Sequence, residues 1–181
     1  MDWKELLLKF EESKDWTSAI DLMQCVVSKE NASLDAYLSI NYLLMNLVLE
    51  EDYDPSKLDY YLGLLKRYFN ESYSKFSNNP EYLFFISNAV IMAEWLVGLE
   101  VEEVNDMMRR PVKLDPENIL YKWGYLWSFD IGKVPNREEN LGACAEQALS
   151  DQNVLEKLNS KGALGEYVLG SLKYCMEKYK R

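Results

Sequence analysis

Residues 3–27 read WKELLLKFEESKDWTSAIDLMQCVV, and this stretch decides the fold class. Its apolar side chains recur every three or four residues in two stripes, as they do along one face of an α-helix. The first stripe is Trp3, Leu6, Leu7 and Phe10, and the second is Ala19, Ile20, Met23, Val26 and Val27. Asp15 lies directly before the second stripe, in the position of an N-cap residue. Two helices joined by a tight turn are therefore predicted at the start of the chain.

Helical spacing continues along the rest of the sequence, with capping residues before several of the apolar runs. Ser33 is placed to cap a third helix over 34–49. Further helices are predicted over 55–78, from Asn79 to about Gly98, over 100–110 with Pro111 closing it, from Asp115 through Trp127, and over about 136–149, 151–158 and 163–179. No run alternates between polar and apolar residues for long enough to form a strand. We therefore expect one all-α domain of eight to ten helices over residues 1–181.

The first helix pair resembles a tetratricopeptide repeat (TPR). Trp3, Leu6 and Phe10, followed by Ala19, Met23 and Val26, reproduce the spacing of bulky and small residues in that repeat. Leu7 stands where the family prefers Gly, and Asn31 stands where it prefers Pro. The resemblance implies a degenerate TPR-like packing of antiparallel helix pairs.

Composition removes most catalytic chemistry. The chain has no His, which excludes His-based acid–base catalysis and makes a zinc site improbable on ligand chemistry. Cys25, Cys144 and Cys175 are widely separated and form no C-x-x-C pair, so they are expected to be reduced thiols in packing. No phosphate-binding loop or nucleophile motif is present. We expect no enzymatic activity, no cofactor and no metal.

Two further features of the sequence indicate where the chain works. Its N-terminus is charged where an export signal needs an apolar run, which predicts a cytoplasmic protein. The most apolar segment, residues 82–97, is interrupted by Glu94 and is too short to cross a membrane. It is predicted to be a buried helix, so no membrane association is expected.

Acidic residues dominate the charge and are unevenly spread. Lys and Arg number 20 and Asp and Glu number 30, which gives a net charge of −10. Residues 1–60 hold 13 acidic and 5 basic side chains, while the window 76–108 holds six acidic side chains and no basic one. Such a surface repels nucleic acid and attracts a basic protein. The alternative is that the excess acid only keeps the protein soluble.

Two acidic clusters and one aromatic residue are the candidate partner-binding residues. They are Glu50, Glu51, Asp52 and Asp54 at the end of the third helix, Glu102, Glu103 and Asp106 near a helix start, and Trp127. Carboxylates at a helix start also stabilise the helix dipole, and a helix-breaking loop explains the first cluster equally well. Trp127 is expected either to pack in the core or to be an exposed interface anchor.

Several segments between 70 and 125 resemble small helical immunity proteins of bacterial polymorphic toxin and contact-dependent growth inhibition systems. The segments are 70–76, 81–85, 94–98, 116–118 and 121–125. This resemblance implies a cytoplasmic monomer that binds a basic toxin domain, often a nuclease, in a 1:1 complex and blocks its active site. The alternative is a TPR-like adaptor or chaperone that holds a peptide in its concave face.

Overall fold

The computed structural model describes residues 2–128 and 134–179, which form ten α-helices and no strand. The helices are α1 Trp3–Glu12, α2 Trp16–Val27, α3 Leu34–Glu50, α4 Leu58–Phe76, α5 Pro80–Val90, α6 Val101–Leu114, α7 Ile119–Trp127, α8 Arg137–Ser150, α9 Gln152–Asn159 and α10 Ala163–Tyr179. Short 3₁₀ helices cover Pro55–Lys57 and Glu94–Val97. The all-α fold predicted from the spacing of apolar residues is confirmed.

Three of the predicted N-caps, Asp15, Ser33 and Asn79, form the expected hydrogen bonds, whereas Asn136 forms no such bond through its side chain. The Asp15 carboxylate accepts a hydrogen bond from the Ser18 N–H at 3.1 Å, and the Ser33 hydroxyl accepts one from the Ala36 N–H at 3.2 Å. The Asn79 side chain accepts one from the Tyr82 N–H at 3.0 Å, with Pro80 at the first helical position. These bonds satisfy N–H groups that have no partner within the helix, which explains why local sequence predicts these helix starts.

The helix predicted to reach Gly98 ends earlier, at Val90. The chain turns through residues 91–93 and then forms the 3₁₀ helix that Gly98 closes in the left-handed conformation, with φ of 83°. Ile91, Ala93 and Val97 are all buried. The turn therefore keeps three apolar side chains in the core. Because packing with the rest of the protein produces this turn, the local sequence contains no helix-breaking residue that would predict it.

The helix predicted to stop before Pro111 continues through it to Leu114. Proline removes one backbone hydrogen bond and disfavours helical geometry in the preceding residue, Arg110. The Arg110 guanidinium donates to the Ser77 carbonyl at 2.5 Å and to the Asn78 side chain at 3.3 Å. These contacts hold Arg110 against the end of α4.

The helix predicted to open at Asp115 begins instead at Ile119. Asn118 is its N-cap and accepts a hydrogen bond from the Tyr121 N–H at 3.4 Å. Asp115 is the C-terminal cap of α6, and its N–H donates to the Pro111 carbonyl at 2.9 Å. The continuation of α6 through Pro111 therefore moves the N-cap of the next helix by three residues, from Asp115 to Asn118.

Helix α5 lies at the centre of the packing. All of its residues from Tyr82 to Val90 are buried, and it packs against α3, α6, α7 and α10. Successive helices pack against each other from α1 to α4 and from α5 to α8, and α3 joins the two groups through α5. A TPR-like arrangement remains a prediction. None of the described helices is long and apolar enough to cross a membrane.

The C-terminal helix returns to the first half of the chain. α10 packs against α8, and it also contacts α3 and α5. Lys161, in the turn before it, forms ion pairs with Asp35 on α3, at 2.6 Å, and with Glu81 on α5. Because a Cβ atom on Gly165 would lie 1.8 Å from the Leu158 carbonyl oxygen, α9 and α10 approach each other at a glycine. These contacts position α10 beside α1 and α3.

Candidate functional site: an acidic surface and its cavity

In the predicted acidic cluster at the end of α3, two carboxylates have an ion-pair or hydrogen-bond partner, and two form no ion pair with a described residue. Glu51 forms an ion pair with Lys14 at 2.9 Å. Asp54 accepts a hydrogen bond from the Ser56 N–H at 2.9 Å, and this bond lowers the pKa of its carboxyl group. Glu50 and Asp52 are exposed and have no ion pair with another described residue. These two are therefore the available members of the cluster.

The acidic cluster at the start of α6 likewise contains carboxylates that have a partner and one that forms no ion pair with a described residue. The Glu103 carboxylate accepts a hydrogen bond from the Glu100 N–H at 2.8 Å, so it caps the helix. Asp106 pairs with Arg109 at 2.7 Å, one helical turn later. Glu102 is exposed and, among the residues described, has no ion partner. Helix α5 packs against both α3 and α6, so the two clusters lie on helices that share one neighbour.

Trp127 is half-buried. Its ring stacks on that of Trp123, with centroids 5.9 Å apart and an angle of 13° between the planes, and Tyr174 packs against its edge at 6.2 Å. Trp123 is completely buried. These contacts match the core alternative for Trp127. A partner-binding role for it stays a prediction.

Among the described residues, Trp95 is the aromatic residue with the largest exposed fraction. Its side chain lies in the 3₁₀ helix after α5 and is 61% exposed. Met92, in the turn before it, is 44% exposed. Both residues belong to the window without basic side chains, and the sequence alone gave no reason to prefer Trp95 over the other tryptophans.

A cavity of about 390 Å³ lies between α1, α3 and the start of α10. The apolar part of its lining consists of Trp3, Leu7, Leu8, Tyr42, Ala163 and Leu164. Glu5, Glu11 and Glu166 add three carboxylates, and Lys4 and Lys161 add two cations. Binding sites for organic groups have this size and this mixture of apolar walls with a few polar side chains.

Glu11 is the electrostatically unusual residue of the cavity. Burial, with a further contribution from the charge of Glu166, raises the pKa of its carboxyl group from 4.5 to about 7. The pKa of the neighbouring Tyr42 is raised to about 12, chiefly by burial and in addition by nearby groups that include Glu11, Glu166 and Glu50. Carboxylates from α1, α3 and α10 therefore act on one region of the surface.

The two cations of the cavity are already neutralised within the protein. Lys4 pairs with Asp35 at 2.6 Å and donates to the Ser160 carbonyl at 2.8 Å. Lys161 has only 6% of its side chain exposed and pairs with Asp35 and Glu81. Burial alone would raise the pKa of Asp35, but hydrogen bonds from Lys161 and Lys4 hold it below its usual range. Glu11 and Glu166 have no ion pair among the described residues.

The cavity is connected to the exposed turn after α5. The rings of Tyr42 and Tyr167 lie 6.0 Å apart, and the Tyr167 hydroxyl contacts the Met92 sulfur at 3.3 Å. Trp95 lies three residues beyond Met92. Two tyrosine rings and the Met92 sulfur thus connect the cavity with the turn that precedes Trp95.

Sequence reasoning found Glu50 but missed Glu11 and Glu166. The latter two come from opposite ends of the chain and meet only because α10 packs beside α1 and α3. One local signal was present: Glu11 lies four residues after Leu7, and so follows the apolar stripe of α1. A carboxylate at such a position is a mark of partial burial.

The described residues contain no group of three or more His, Cys, Asp or Glu side chains arranged to hold a metal ion. No family model, no curated protein and no solved structure matches this chain.

Proposed function

We propose that the chain is a cytoplasmic immunity protein, which binds a basic toxin domain in a 1:1 complex and blocks its active site. The supporting observation is a set of exposed carboxylates that form no ion pair with another described residue: Glu50 and Asp52 at the end of α3, and Glu102 at the start of α6. Carboxylates that are free of ion pairs lose no internal interaction when a cationic surface approaches them. They are therefore available to a basic partner.

Long-range attraction is the main physical effect of such a surface. A net charge of −10 on 181 residues steers a basic partner toward the chain and raises the association rate. The same charge repels RNA and DNA, whose phosphates a basic nuclease binds in a positive groove. Acidic side chains on an inhibitor are thus suited to occupy that groove. In this proposal the chain has no catalytic activity of its own.

Short-range contacts determine how long the complex lasts. Tryptophan is enriched among residues that contribute most to binding, because it buries a large and rigid surface. Trp95 is exposed and lies seven residues before Glu102, within the window that has no basic side chain. We therefore assign the anchoring role to Trp95, and the steering role to the free carboxylates.

A peptide-binding adaptor is the second candidate, and the succession of packed helices is the observation that favours it. An adaptor of the TPR type needs an open inner face for its peptide. Here α10 packs on α3 and α5 and contributes its turn residue Lys161 to their ion pairs. Because part of that face is occupied by the chain itself, the inhibitor is the better supported function.

The test is protection of cells from a toxin. The candidate is the C-terminal domain of a large secreted protein encoded directly upstream of this chain's gene. Co-expression in a bacterial host is expected to restore growth, and light scattering of the purified mixture is expected to show a 1:1 complex. Growth arrest that the chain does not relieve, together with no complex, would refute the proposal.

A further inference from the structure

The cavity between α1, α3 and α10 combines an apolar wall with an acidic rim. Trp3, Leu7 and Leu164 are packed against the core, whereas Glu5 and Glu166 are exposed at the opening. Its volume of about 390 Å³ falls in the range of sites that enclose organic groups. An occupant that fits both parts has an apolar stem and a positively charged end.

The carboxylates of Glu11 and Glu166 at the cavity form no ion pair with a lysine or arginine of the described residues. Glu11 is partly buried and Glu166 is close enough to act on it, yet neither is paired with a cation of the described chain. The ionisable groups around Glu11 are Lys4 and Glu5 on α1, Tyr42 and Glu50 on α3, Lys161 in the turn before α10, and Glu166 and Tyr167 on α10. Both of these lysines are paired elsewhere, with Asp35 and Glu81. An external cation would therefore find two carboxylates without competition.

We infer that this cavity receives an arginine or lysine side chain of the basic partner protein, an inference that rests on the proposed function. These side chains bury their methylene stems along apolar surface and keep the charged end beside polar groups. Arginine also presents several N–H donors in a fixed plane, which suits a pair of carboxylates. Tyr42 lines the cavity and its pKa also responds to the charge of Glu50, so the cavity lies within electrostatic range of the acidic cluster assigned to partner binding.

The inference is tested on the full chain without the toxin. The probe is the blocked peptide acetyl-Gly-Arg-Gly-amide, followed by amide chemical shifts in NMR. The peptide with citrulline in place of arginine is the neutral control. We expect saturable shifts at residues 5–11 and 162–166 with the arginine peptide, and at least about a tenfold weaker affinity for the citrulline peptide.

Two variants localise the effect. Glu11→Gln is expected to weaken binding of the arginine peptide by about tenfold at pH 8, because it removes the charge inside the cavity. Glu177→Gln removes an exposed charge near the far end of α10 and should leave the affinity unchanged. Since the pKa of Glu11 is raised to about 7, its ionised fraction should rise about tenfold from pH 6 to pH 8. Because the neutral form is expected to bind about tenfold more weakly, the affinity should rise about fivefold over the same range.

Three results would overturn the inference: equal binding of both peptides, no loss with Glu11→Gln, or binding of free n-butylguanidine at least as tight as that of the peptide. The last result would identify the cavity as a site for small free guanidinium compounds. If the peptide does not bind but the chain still neutralises a toxin, only the inference fails. If the peptide binds in the cavity and no basic toxin is neutralised, only the proposed function fails.

Discussion

Replacement of Glu11 by glutamine should make the protein more stable at alkaline pH and leave it nearly unchanged at acidic pH. Burial and Glu166 raise the pKa of Glu11 from 4.5 to about 7 in the folded protein. The folded state therefore holds a proton that the unfolded state releases between these pH values. By linkage, the wild-type protein loses stability as the pH rises through this window.

The size of this effect follows from the difference in pKa. A difference of about 2.5 at about 1.4 kcal/mol for each pKa unit gives an upper limit of roughly 3 kcal/mol above pH 7. Glu11 is only partly buried and keeps some of its hydration, so we expect Glu11→Gln to gain about 1–2 kcal/mol at pH 8. Below about pH 5, where the folded wild-type is protonated, the gain should fall below about 1 kcal/mol.

Urea denaturation at pH 5 and pH 8 measures the free energy of unfolding of each protein. Glu12→Gln is the matched control, because it removes the same charge from the adjacent exposed position. Its effect should stay within about 0.5 kcal/mol at both pH values. If Glu11→Gln is no more stable than the wild-type at pH 8, or destabilises the protein equally at both pH values, Glu11 is not an uncompensated carboxylate and the reasoning fails.

Three other predictions concern packing and ion pairs. Gly165→Ala should lower the free energy of unfolding by about 3 kcal/mol, because its Cβ atom would lie 1.8 Å from the Leu158 carbonyl oxygen. Gly170→Ala, where a Cβ atom would have no neighbour within 4 Å, should raise the free energy of unfolding by about 0.5–1 kcal/mol. Urea denaturation measures both changes. Lys161→Ala should lower the free energy of unfolding by about 2–3 kcal/mol at pH 7. This loss should become smaller toward pH 3, because Asp35 and Glu81 are then protonated. Equal losses at both pH values would contradict the ion-pair assignment. Trp127→Ala should cost about 3 kcal/mol of folding stability, while Trp95→Ala should leave thermal unfolding nearly unchanged and cost about 2 kcal/mol of partner binding; the reverse pattern in calorimetry would exchange their roles.

The starts of α2, α3 and α5 were predictable because their determinants are local, whereas the start of α7 was predicted wrongly. Asp15, Ser33 and Asn79 each cap a backbone N–H only two or three residues away, so a short window of sequence contains all the information. Helix ends depended on distant residues. Helix α6 continues through Pro111 to Leu114, and Arg110 beside the proline contacts Ser77, 33 residues earlier in the chain, which no local pattern indicates.

The candidate site was predictable only in part, and for the same reason. The acidic clusters were visible as runs of charge, but which members are free depends on partners such as Lys14, which lies 37 residues from Glu51. Trp95 is more exposed than Trp127 because it follows the turn after Val90. The sequence has no helix-breaking residue at this turn, so the turn could not be predicted. Glu11 and Glu166 meet only in the folded chain.

Association kinetics test the central claim, that free carboxylates steer a basic toxin domain to this chain. Surface plasmon resonance would compare the wild-type with a triple variant, Glu50→Lys with Asp52→Lys and Glu102→Lys, at low and high salt. A control with the same net charge reverses Glu117, Glu139 and Glu177, which lie outside both acidic clusters. We predict that the association rate of the triple variant falls by at least about tenfold at low salt, that high salt reduces this difference, and that the control changes the rate much less. An association rate that neither salt nor the triple reversal changes, or that the control reduces equally, would contradict the account.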